Sequence, residues 1–165
     1  MEKIFILFSF YFFIIFSIIG YGNISSLIFK RTYSIGEQGL NGILLLILIS
    51  YLTNFFSPHS IIHNLIIIII GLIAFALSIF QNWRKKIKEL KIMFFIFLIL
   101  FIGLLMYKNH DDFFYYHFPY TLSIINYKKI LGLGLLNHGF RTPSSIFYFN
   151  SLFYLPHIKY FLINS

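Results

Sequence analysis

The sequence predicts an all-α fold: a polytopic integral membrane helical protein with four transmembrane helices, an extracytoplasmic amphipathic loop and the start of a fifth helix. Three observations predict it. Hydrophobic residues make up 59% of the chain and charged residues only 11%, whereas about a quarter of a soluble domain is charged. Apolar runs close to the roughly 20 residues that cross a bilayer recur four times before residue 108. The basic residues fall between those runs, so the net charge of +8 reads as topology signal and lipid-headgroup contact, not nucleic-acid binding. There is no cysteine, which excludes disulfide and thiol chemistry.

The first run, residues 4–29, carries no charge and ends before Lys30 and Arg31. Gly20-Tyr21-Gly22 offers a small-x-small cleavage site, but Met1-Glu2-Lys3 is barely basic and the run exceeds a usual signal core, so it reads as a span. The second run, residues 40–56, closes at Ser57-Pro58-His59-Ser60. Proline and small polar residues do not extend a helix, so this is a tight turn into the third run, residues 61–80. Together these two runs form an antiparallel hairpin, with His63 an interfacial residue just inside the third span and Trp83 at headgroup level. Arg84, Lys85, Lys86, Lys88 and Lys91 follow as a solvated loop before the fourth run, residues 92–107.

The first loop has two Lys or Arg, the second none and the third five. The positive-inside rule places the first and third loops in the cytoplasm. The N-terminus and residues 108–165 then face outward, in a bacterial inner membrane. Two regions result: residues 1–107, the four-helix transmembrane part, and residues 108–165, the outer loop. In the loop, residues 120–130 predict a helix lying along the membrane with Lys128 and Lys129 at its wet end. Gly132 and Gly134 mark a turn and lack the third glycine of a dinucleotide fingerprint. Thr142 before Pro143 predicts a helix start, with the helix running over residues 144–155.

Two polar groups lie in that outer segment. Asp111 and Asp112 are the only aspartates, side by side between His110 and His117. Carboxylates are costly near lipid, so a pair at a membrane boundary is a candidate site, though aspartates also suit a helix start. An aspartate takes a proton from an acceptor hydroxyl when apolar neighbours raise its pKa. The second group holds Asn137, His138 and Arg141, and a guanidinium fork suits phosphate oxygens. His110, Asp112 and His117 match no standard metal-ligand spacing, so no metal ligand is assigned.

A membrane helix followed at once by an acidic pair and the Tyr116-His117-Phe118-Pro119 stretch resembles the start of multi-pass membrane glycosyltransferases of the GT-C fold, and bacterial membrane proteins related to them. The resemblance covers roughly residues 92–155. It implies transfer of a sugar from a polyprenyl-phosphate donor at the outer face, with Asp111 and Asp112 catalytic. Tyr116, His117, Asn137, His138 and Arg141 are the expected substrate contacts, and a divalent metal cofactor is left open. The family places its acidic loop after the first span and has many more spans. This chain therefore reads as the N-terminal piece of a longer transferase, or as one needing a partner membrane subunit. A non-catalytic small membrane subunit is the alternative. No span holds a charged residue, so no proton relay or ion path is visible.

Overall fold

The structure, a computed structural model, describes residues 2–106, 113–135, 138–141, 144–159 and 161–162, and of residues 82–85 the backbone alone. Among them the elements are helices: α1 (Glu2–Phe29), α2 (Ile35–Phe56), α3 (Ile61–Leu105), α4 (His117–Asn126) and α5 (Ser145–Ser151). Two 3-10 turns, Leu133–Leu135 and His138–Phe140, lie between the last two. Three described stretches are long and apolar enough to cross a membrane: α1, α2 and the Ile61–Gln81 part of α3. These give the chain the character of a membrane protein.

The helix boundaries follow from local chemistry. α1 stops at Phe29 because Lys30 turns left-handed, at φ +51°, and the Arg31 amide reaches back to the Ser26 carbonyl at 3.0 Å, closing the last turn. α2 opens on a reciprocal cap. The Ser34 amide donates to the Glu37 carboxylate at 2.7 Å and the Glu37 amide to the Ser34 hydroxyl, which satisfies donors that a helix start leaves unpaired. The turn at residues 57–60 separates α2 from α3 as expected.

The expected loop over residues 84–91 is instead helical, and residues 92–105 continue α3 rather than form a separate fourth span. The reason lies in the residue types. Arg, Lys, Glu, Leu and Ile without proline or glycine keep a chain helical whether or not it is charged. α3 is nevertheless not straight. Ring contacts of 4.8, 6.0 and 4.8 Å join Phe75 through Phe16 and Phe12 to Phe94. That path is shorter than the roughly 28 Å that a straight helix would put between positions 75 and 94.

The chain forms two compact units: Met1–Leu46 with Ile67–Tyr107, and Ile47–Ile66 with Lys108–Ser165. In the first, Phe12, Ile15, Ile19 and Ile35 form a core against which Phe75, Leu90, Met93 and Phe97 pack. The Tyr21 hydroxyl donates to the Ile67 carbonyl at 2.9 Å and the Tyr11 hydroxyl to the Phe97 carbonyl at 3.1 Å. Small residues set the helix spacing, as they do where lipid supplies no competing hydrophobic drive. A Cβ on Gly20 would collide with the Gly71 carbonyl, and one on Gly42 with the Ile18 carbonyl. Gly20 and Gly22, which resemble a cleavage site in sequence, are thus packing positions.

Gly20→Ala should lower stability by about 1–3 kcal/mol through overpacking, whereas Gly103→Ala, with nothing within 4 Å of the added carbon, should leave it unchanged or raise it by about 1 kcal/mol. Thermal unfolding of the two variants in detergent checks this, and equal midpoints would contradict the close crossing.

Candidate functional site

The second unit is built on the α2–α3 turn. Helix ends leave carbonyls unpaired, and here polar side chains from the turn reach those of α4 and α5. Asn54 donates to the Ile124 carbonyl at 3.3 Å and the Tyr127 carbonyl at 3.2 Å, while its own carbonyl accepts the Lys129 amide at 2.7 Å. Asn64 shares its amide among the carbonyls of His59 at 3.1 Å, Ser151 at 2.8 Å and Tyr154 at 2.9 Å. Ser50 and Ser151 both donate to the Tyr148 carbonyl, at 2.6 and 2.7 Å. Ser50, Asn54, His59, Asn64 and Ser151 are all buried. Each therefore needs its partners, since an unmade bond there costs about 1–3 kcal/mol.

His59 sits at the centre. Its Nδ1 lies 2.6 Å from the Ser151 hydroxyl and its Nε2 3.2 Å from Thr53 Oγ1. Both flanking hydroxyls also meet a carbonyl, Ser151 that of Tyr148 at 2.7 Å and Thr53 that of Ser50 at 3.3 Å, so the ring is held between two groups that are themselves anchored. The His63 ring stacks on it at 4.6 Å, nearly parallel. Burial, and secondarily the neighbouring His63, push the His59 pKa down to about 3, so the ring is neutral. Ser151 and His59 resemble a nucleophile and its base, but both are fully enclosed and act as a structural clasp.

A second feature lies at the end of α4. The Lys129 ammonium donates to the Tyr148 hydroxyl and stands 4.9 Å from the centroid of that ring. Tyr51 stacks on Tyr148 at 3.9 Å, and Tyr120 meets it edge-on at 6.3 Å. A shallow cleft, with room inside for little more than a water molecule, is bordered by Asn54, Tyr120, Tyr127, Lys128, Lys129 and Tyr148. Burial, reinforced by the Tyr148 hydroxyl, raises the Tyr120 pKa to about 12, and burial also raises that of Tyr148. Both phenols thus remain protonated donors at neutral pH.

The site residues expected from sequence fall elsewhere. Asp111, Asp112 and Asn137 lie outside the described residues, as does His110. Tyr116 occupies the position before α4 without a side-chain cap bond, and its ring meets that of His117 at 4.3 Å. His117 in turn packs 5.0 Å from Phe147. Tyr116 and His117 therefore serve the aromatic cluster of Tyr120, Ile124, Phe147 and Tyr148. His138 and Arg141 are exposed and share one turn, the Arg141 amide donating to the His138 carbonyl at 3.2 Å. Among the described residues no group of three or more His, Cys, Asp or Glu is placed to hold a metal. The helix expected over residues 120–130 is α4, which runs from His117 to Asn126. The last helix starts at Ser145, with the Ser144 hydroxyl accepting from the Ile146 amide; Thr142 and Pro143 lie outside the described residues.

Sequence reasoning missed Asn54, Asn64 and His59. Their signal was present: asparagines and histidine within apolar runs at the two ends of one turn. Such groups are buried only with partners. Compared with known protein families, curated proteins and solved structures, the chain matches none.

Asn64→Leu should strip the Ser151 and Tyr154 carbonyls of their donor and destabilise the second unit by about 1–3 kcal/mol; faster proteolysis within residues 113–162 is the readout. Acid should act through His59. The unfolded chain takes up a proton near pH 6.5 but the folded one only near pH 3, so this contribution is present above pH 6.5 and is lost as pH falls towards 3. Going from pH 7.5 to 5.0 should cost roughly 2 kcal/mol in the wild type. His59→Gln should remove most of that slope, and an unchanged slope would assign it to another group.

Proposed function

We propose that this chain is an integral membrane protein whose second unit works at the membrane face on a lipid-linked substrate, in group transfer of the glycosyltransferase kind. In this reading residues 108–165 lie outside the cytoplasm of a bacterial cell. Asp111 or Asp112 takes the proton from an acceptor hydroxyl as that oxygen bonds the anomeric carbon of the sugar. The donor phosphate departs with the electrons of the broken bond. The observation that carries the reading is the fixing of α4 and α5 onto the α2–α3 turn by Asn54, His59 and Asn64. A folded unit that joins α4 and α5 to the α2–α3 turn supports a working segment, and in sequence the acidic pair stands at its head.

A specific observation favours a second reading, a non-catalytic membrane subunit. Tyr116 and His117 are taken up in aromatic packing, and His138 and Arg141 are exposed on one turn.

The two readings separate in membranes expressing the full chain. Under the first, Asp111→Asn and Asp112→Asn, singly or together, reduce transfer of a radiolabelled sugar from a polyprenyl-phosphate donor by about 100-fold or more, with insertion unchanged. Transfer absent from the wild type, or intact in the double variant, leaves the subunit reading. A reporter fused after Tyr120 that is active only in the cytosol overturns the outward orientation.

A further inference from the structure

The cleft at the end of α4 is not accounted for by either reading. Its cation is held from several sides: Asn54 ties down the Tyr127 carbonyl and the Lys129 amide, and the Lys129 ammonium rests on the Tyr148 hydroxyl and ring. A buried asparagine thus fixes the backbone on either side of Lys128. The described carboxylates, Glu2, Glu37 and Glu89, all belong to the first unit. Among the described residues of the second unit, therefore, nothing negative offsets Lys128 and Lys129.

The surroundings of the cleft are of two kinds. Lys128 is exposed and Lys129 is half-buried on the Tyr148 hydroxyl, and together they offer the ammonium donors that a phosphate requires. Immediately beyond, Leu131 and Leu135 are 85% and 90% exposed and Tyr127 is 60% exposed. Lysine and tyrosine next to bare leucines form an amphipathic edge: charge for a headgroup, leucine for the acyl region below it. A free phosphate would use the first part and leave the second in water.

We propose that Lys128 and Lys129, the latter held on the buried Tyr148 hydroxyl, form a binding site for the phosphate headgroup of an anionic membrane lipid. The lipid's acyl chains lie along Leu131 and Leu135. The ammonium groups neutralise the phosphate and donate hydrogen bonds to its oxygens. The site goes beyond the transfer reading and stands without it, because it is read by binding and needs neither aspartate.

The test uses the purified full chain in a nonionic detergent, with binding read by native mass spectrometry and by thermal shift. The probes are dioleoyl phosphatidic acid, phosphatidylcholine with the same chains, and inorganic phosphate. Phosphatidic acid should bind and raise the unfolding midpoint, and phosphatidylcholine should bind at least about tenfold more weakly. Each of Lys128→Gln and Lys129→Gln should weaken phosphatidic acid binding about fivefold, and the pair roughly twentyfold, from about 1 kcal/mol per lysine near an anionic surface. Lys129→Arg should retain binding, and Lys3→Gln in the first unit should not alter it. Because Lys129 also bonds Tyr148, the exposed Lys128 supplies a variant that leaves the packing intact. Equal binding of the two lipids, or unchanged binding in Lys128→Gln and in the double variant, overturns the site. Displacement of the lipid by inorganic phosphate at the concentration at which the lipid itself binds would assign the cleft to free phosphate and overturn the lipid.

Discussion

The second unit depends on one requirement: carbonyls at the ends of α4 and α5 must find donors once they leave water. A last-turn carbonyl has no partner in the backbone ladder of its own helix. Here the donors come from outside, on Ser50, Asn54 and Asn64 of the membrane-length helices, with His59 joined through Ser151. The bonds are directional, so they do more than hold the tail. They select which turn of α4 and which turn of α5 meet the α2–α3 turn. Nonspecific collapse of so many aromatic residues would select neither.

A similar economy operates in the first unit through an opposite device. There the contacts are made by what is missing: glycines at positions 20, 42 and 71 let backbones approach so closely that no Cβ fits. Close backbone approach suits a lipid environment, in which apolar side chains gain little by leaving lipid for one another. The aromatic side chains then fill the widening space further along, with Phe8, Tyr11 and Phe12 of α1 meeting Phe94, Phe97 and Phe101 of α3. Packing and polar satisfaction are thus divided between the two units.

The polar features follow a consistent logic of access. His59 and Ser151 have the residue types of a catalytic dyad but are sealed, and burial holds the imidazole neutral. The Lys129–Tyr148 pair is also fixed by neighbours yet borders an open cleft. The first can only brace the fold, whereas the second stands beside the exposed Lys128. His138 and Arg141 stand exposed on one turn, which the Arg141 amide closes onto the His138 carbonyl.

By itself the sequence determined that the chain is helical and rich in membrane-length segments, because apolar run length and scarcity of charge act locally and add along the chain. It also marked the α2–α3 turn, through Pro58 and its small polar neighbours, and the end of α1 before Lys30 and Arg31. It misled at residues 84–91, where clustered charge resembles a loop although every residue there favours a helix. Only the tertiary structure decided what Asn54, His59 and Asn64 do, that Tyr116 and His117 serve packing, and that Lys129 meets Tyr148. Those roles arise from contacts between residues far apart in the chain, and local propensity carries no information about which distant partner will satisfy a buried polar group.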